Sequence, residues 1–119
     1  FPGVPVICHL ASGRGKDVIK DLADLGFVAV GVSAEEDLGE LKAVADRRIA
    51  LVGNLNGIAM RHWSAEETEA QVRLAVAKGA PGGGFILSDN HGEVPWQVSP
   101  EVIRGLGDAL ARHGTYSSD

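Results

Sequence analysis

The sequence predicts an α/β domain built from four β/α units, and three observations carry that prediction. Four short apolar runs occur at regular intervals, at residues 4–10, 27–33 and 49–55 and around Ile86-Leu87. Each is followed by an amphipathic, helix-period segment. Strands alternating with helices imply parallel pairing through right-handed crossovers. That pattern fits two architectures, an open doubly wound sheet or half of a (β/α)8 TIM-type barrel. The small alternating set Ala29, Gly31 and Ser33 leans towards the crowded interior of a barrel.

Taken in order, the first run is apolar nearly throughout, as a strand covered on both faces would be. Asp17 to Leu25 reads as a helix with Val18, Ile19, Leu22 and Leu25 on one face, ended by Gly26. After the second strand, Ser33-Ala34-Glu35-Glu36 has capping-box spacing and is expected to open a helix with Leu38, Leu41, Val44 and Ala45 inward. A second box, Ser64-Ala65-Glu66-Glu67, opens a helix with Thr68, Val72, Ala75 and Val76 inward, and Gly79 is expected to close it. Gly82-Gly83-Gly84 permits a tight entry into the last strand. Ser99-Pro100 is a good helix start, and Val102, Ile103, Leu106 and Leu110 form the expected buried stripe. Residues 115–119 are expected to fray.

Composition narrows the function classes. A chain of 119 residues has room for one core, so residues 1–119 are expected to form a single domain. Its net charge of −5 argues against a nucleic-acid surface, which needs a basic stripe. The apolar runs are far shorter than the roughly 20 residues a membrane span needs. One cysteine excludes an internal disulfide, and with no signal-peptide pattern at the start the expectation is a cytoplasmic protein. The chain opens Phe1-Pro2 without Met and enters strand-like sequence at once, so it reads as a piece of a longer protein.

Polar chemistry concentrates where the fourth strand ends, in Ser88, Asp89, Asn90, His91 and Gly92. The C-terminal ends of parallel strands are where α/β folds keep their sites. Gly53-Asn54-Leu55-Asn56 resembles the Gly-Asn-Leu-Asp-Pro turn of uroporphyrinogen decarboxylases. Gly84-Phe85-Ile86-Leu87-Ser88-Asp89-Asn90-His91-Gly92, with Val94-Pro95 and Ser99-Pro100-Glu101-Val102 after it, is similar to that family's last strand, Gly-His-Gly loop and final helix. The resemblance covers essentially the whole chain and corresponds to the last four β/α units of a family barrel, its C-terminal half. It implies an enzyme that removes acetate carboxyls from an anionic tetrapyrrole, in porphyrin biosynthesis, without a cofactor. The family's arginine-rich N-terminal loop and central Asp lie in segments that this chain lacks, so the isolated chain is expected to be inactive.

Corrinoid-dependent methyltransferases are related to this family and hold zinc with a His-x-Cys strand and a later Cys. His9 matches their His, but Ala11 stands at the Cys position, so a thiolate-rich zinc site is not available. A methyltransferase relative with an altered metal site is one alternative, and a non-catalytic, self-associating half-barrel is another.

His91 is the candidate catalytic residue, placed to contact a substrate carboxylate or move a proton, work that suits an imidazole. Candidate substrate-binding residues are Asn54, His9, Arg14, Lys16, Asp89 and Asn90. Each has a structural alternative: Asn54 capping its own turn, His9 satisfied at a strand end, His91 ordering its loop. His9 and His91 with Asp89 could hold a metal such as zinc; two His without a third firm ligand are a thin signal. Arg14 and Lys16 lack the phosphate-loop spacing and read either as a solvated loop or as cations for a polycarboxylate. Cys8 is expected to face the helix layer, and Trp96 either to wall a pocket or to pack on its loop. A half-barrel leaves two open sheet edges and an apolar inner face, so a homodimer is expected.

Overall fold

A computed structural model describes residues 2–116. Four strands and four α-helices alternate: β1 (Ile7–His9), α1 (Ile19–Asp24), β2 (Ala29–Gly31), α2 (Leu38–Ala45), β3 (Ala50–Leu55), α3 (Ala65–Gly79), β4 (Phe85–Asp89) and α4 (Pro100–His113), with a 3-10 turn at Ala59–His62. The strands form one parallel sheet in sequential order, β1-β2-β3-β4. Helices pack in the same order, α1 on α2, α2 on α3 and α3 on α4. Sequential parallel order with right-handed crossovers puts every helix on one face. A doubly wound sheet needs a reversal of order, and this sheet has none. The fold is therefore an arc of a (β/α) barrel.

Register separates the two faces. Cys8, Val30, Leu51 and Phe85 lie side by side across the strands. They pack with Ile19, Leu38, Leu41, Val72 and Ala75 into the helix-side core. Cys8 thus faces the helix layer, as expected. The opposite face carries the rows Ile7-Ala29-Ala50 and His9-Gly31-Val52-Ile86. There Ile7 is 58% and Ile86 51% exposed. The first strand is consequently not covered on both faces in this chain, and its ladder is confined to residues 7–9.

Local sequence explains most helix ends. Ser64 Oγ accepts the Glu67 amide proton, and Ser99 Oγ accepts that of Val102, with Pro100 in the first turn. Gly26, at φ +91°, follows the C-cap of α1. Two expectations need correction, the start of α2 and the buried stripe of α4. The helix after β2 does not start at Ser33: Asp37 is its N-cap, accepting from the Glu40 amide, while Ser33 Oγ accepts from the Glu35 amide in a local turn. Asp37-x-x-Glu40 offers the same spacing four residues on, and Glu36 is committed elsewhere. Gly79 is the last residue of α3, as expected, with Ala80 as the cap; its missing side chain also makes room for Phe85, whose ring would lie 2.7 Å from a Cβ. On α4 the buried residues are Val102 and Ala109, whereas Ile103 and Leu110 are 45% and 40% exposed. The helix packs chiefly against α3 rather than the sheet, so its inward stripe is narrow. Of the expected frayed tail, residues 117–119 lie outside the described residues, and Tyr116 donates its hydroxyl to the Phe85 carbonyl at 3.4 Å.

Candidate functional site on the C-terminal face of the sheet

The four loops leaving the C-terminal ends of the strands are tied to one another. Glu36, in the loop after β2, accepts the Gly15 amide with Oε1 at 2.7 Å and the Lys16 amide with Oε2 at 3.0 Å. Its carboxylate thus clamps the loop after β1. Asn54 Nδ2 donates to the carbonyls of Ser33 and Glu36, both at 2.9 Å, holding the loop after β2 against the end of β3. Asn90, almost fully buried, accepts the Gly57 amide at 3.2 Å, and its own amide donates to the Leu55 carbonyl at 2.8 Å. Those bonds join the loops after β3 and β4.

The last tie spans the sheet. His9 Nε2 lies 3.1 Å from the carbonyl oxygen of His91. A carbonyl only accepts, so Nε2 carries the proton and donates. β1 and β4 are the two edges of the sheet, so this contact requires the loop after β4 to fold back over the inner face. Gly31 makes room for it, since a Cβ there would stand 2.8 Å from His9 Nδ1. Asp89 shapes the same loop, its Oδ2 accepting the amides of His91 at 3.0 Å and Gly92 at 2.9 Å.

The sequence candidates therefore divide. Asn54, Asn90, Asp89 and His9 spend their polar atoms on loop ties. Arg14 pairs with Asp17 at 3.4 Å and Lys16 with Glu40 at 3.2 Å, both in exposed positions where ion pairs are weak and readily exchanged. The His91 imidazole makes no hydrogen bond among the described residues and lines a cleft of about 530 Å³ with Ile58, Glu93, Val94, Pro95 and Trp96. Trp96, 89% exposed, walls this cleft. His91 and Asn54 line different cavities, Asn54 sharing its own with Glu36, Asp37 and Lys78. Among the described residues no three His, Cys, Asp or Glu side chains converge as metal ligands; His9 meets the backbone of His91 rather than its ring.

Glu36 is the residue that sequence reasoning assigned to the wrong task. The competing Asp37-x-x-Glu40 cap was the signal that would have freed it. Ile58 was not singled out, and Val94 not as a cleft residue, because an isolated exposed aliphatic is ordinary on a surface.

An arc of parallel β/α units whose polar residues gather at the strand C-termini defines the chain as part of an α/β-barrel protein. The family model "Uroporphyrinogen decarboxylase (URO-D)" matches residues 1–113, and the chain belongs to that family. It is similar to uroporphyrinogen decarboxylases of Acidiphilium cryptum, at 35% identity over 92% of this chain and 29% of the relative, and of Cellvibrio japonicus, at 32% identity over 94% and 32%. The chain thus spans about a third or less of the length of these relatives. A solved structure of a methyltransferase from Methanosarcina mazei shares the fold with a TM-score of 0.78 at 21% identity, covering 95% of this chain and 32% of that one. Among the described residues no helix is long and apolar enough to cross a membrane.

Proposed function

We propose that the chain supplies the C-terminal (β/α)4 part of a uroporphyrinogen decarboxylase-like enzyme acting on the acetate carboxyls of an anionic tetrapyrrole. The observation that carries this reading is the His91 cleft. An unengaged imidazole stands beside Trp96, Ile58 and Val94 at the sheet's C-terminal face, so an apolar wall and a proton-carrying group lie together, as a flat macrocycle with charged side chains requires. His91 contacts a substrate carboxylate or moves the proton that replaces carbon dioxide. Arg14 and Lys16, in exposed and exchangeable pairs, supply charge for further carboxylates. No cofactor enters this chemistry. The remaining barrel units, which carry the rest of the catalytic groups, are needed for turnover, so the isolated chain is inactive.

The test is a chimera in which this chain replaces the C-terminal third of the Acidiphilium cryptum enzyme. Decarboxylation that falls by about 10²-fold or more in His91→Ala supports the assignment. A folded chimera without activity, or one indifferent to His91→Ala, overturns it.

In the isolated chain the inner face, with Ile7, Val52 and Ile86, and the edges β1 and β4 are open, and a second copy is the proposed cover. Sedimentation should then give a dimer, and a monodisperse monomer would refute the pairing.

A further inference from the structure

The opposite, N-terminal end of the sheet carries a cavity of a different character. It measures about 460 Å³ and is lined by Lys42 of α2, by Arg47 and Arg48 just after that helix, by the segments leading into β2 and β3, and by Gly82, Gly83 and Gly84. No carboxylate lines it, although the chain as a whole is acidic with a net charge of −5.

The three cations are not equivalent. Arg48 is paired with Asp24. Lys42 donates to the carbonyl of Gly83 and has no acidic partner among the described residues. Its ammonium is held below the ordinary lysine range, first by burial and second by the neighbouring charge of Arg47. Arg47 has no ion pair among the described residues, and its backbone sits at φ +59° directly after Asp46 at φ +46°. A left-handed residue other than Gly or Asn costs about 1–2 kcal/mol, so an arginine there is held in place by its surroundings. Two like charges, one of them partly desolvated, thus share a cleft without a counter-charge. That arrangement concentrates positive potential in the cleft, which a bound anion would offset.

The rest of the cleft is shaped to admit one. Gly82, Gly83 and Gly84 lie at φ +80°, +76° and +66°, and a Cβ on Gly82 or Gly83 would meet nothing within 4 Å. The turn therefore presents bare backbone to the cleft. The volume falls in the range of small-molecule sites.

We propose that this cleft binds a phosphate-class oxyanion, with Lys42 and Arg47 as its ligands and the Gly82–Gly84 turn as its floor. Arg47 offers a planar fork that matches phosphate oxygens, and Lys42 a point charge already oriented by Gly83. None of these residues takes part in the loop network at the C-terminal face, so the site is independent of the decarboxylase reading and would hold if that reading failed.

Titration of the 119-residue chain with inorganic pyrophosphate, followed by amide chemical shifts, tests this. Saturable shifts are expected at Gly82, Gly83 and Gly84. Arg47→Gly removes the guanidinium while relieving the left-handed backbone, so the variant should be as stable as the parent or more so. It should weaken binding by about tenfold or more, as should Lys42→Met. Arg73→Met, an exposed cation on α3, should leave the affinity unchanged. The proposal is overturned if no saturable shift occurs, if Arg47→Gly binds as tightly as the parent, if Arg73→Met weakens binding equally, or if chloride at the same ionic strength reproduces the shifts.

Discussion

Substituting Gly31 by alanine should uncouple the two edges of the sheet. The added Cβ would stand 2.8 Å from His9 Nδ1 and 3.6 Å from His9 Cα, so the imidazole must leave its place over the strand. His9 is exposed and its ring can rotate away, which keeps the steric cost near the low end of the usual 1–3 kcal/mol for overpacking. Rotation breaks the bond from Nε2 to the His91 carbonyl, worth about 0.5–1.5 kcal/mol net. Against this, alanine in a strand regains about 0.4–1 kcal/mol from the unfolded chain, because Gly31 does not lie at positive φ. The sum is a loss of about 1–2 kcal/mol. The decisive comparison is the same substitution in a His9→Ala background, where neither clash nor bond exists. There Gly31→Ala should be neutral or mildly stabilising. Urea denaturation of the four proteins gives the coupling, which excludes the alanine gain common to both backgrounds and is expected at about 1.5–2.5 kcal/mol. Faster amide exchange at His91 and Gly92 should accompany the single mutant. An equal cost in both backgrounds would show that Gly31 is needed for a reason other than the His9 ring.

Glu36→Ala should cost about 1–2 kcal/mol, since two amides then lose a charged acceptor, while Glu36→Gln should keep roughly half of that; unchanged amide exchange at Gly15 and Lys16 in the alanine variant would refute the clamp. Gly79→Ala should destabilise by about 1–2 kcal/mol despite the better helix propensity of alanine, because Phe85 must move. Adding Phe85→Leu should recover most of that loss, and no recovery in a thermal melt would count against the contact. Stability should also fall in acid. Hydrogen bonding to Lys78 holds Asp37 below its usual range, and His113 and then Arg112 do the same for Glu69. Both carboxyls therefore add stability above their unfolded values, about 4, and lose it as pH drops through the lower folded values. Asp37→Asn should flatten that part of the pH profile, and an unaltered profile would place the acid sensitivity elsewhere.

Four β/α units, their parallel pairing and the location of the polar loops were legible in the sequence, because periodicity and local capping chemistry act over a few residues. Ser64, Ser99 and Gly26 do what their neighbours dictate. Choices between equivalent local options were not legible. Ser33 and Asp37 each offered a cap four residues apart, and the matter was settled by Gly15 and Lys16, some twenty residues away, which take the Glu36 carboxylate. Gly79 carried a stop signal and does end α3, but the ring that needs its missing side chain arrives only with the next strand. The barrel sense of the sheet likewise needed the strand order, which no single segment encodes. The resemblance of Gly53-Asn54 and the His91 loop to known motifs pointed to the C-terminal face of the sheet, where most of the polar atoms hold loops to one another. Only when the strands are laid side by side do His9 and His91, 82 residues apart, meet across the inner face. Hydrogen-bond partners are chosen by proximity in the folded chain, so residue types name the chemistry available and the tertiary structure decides where it is spent.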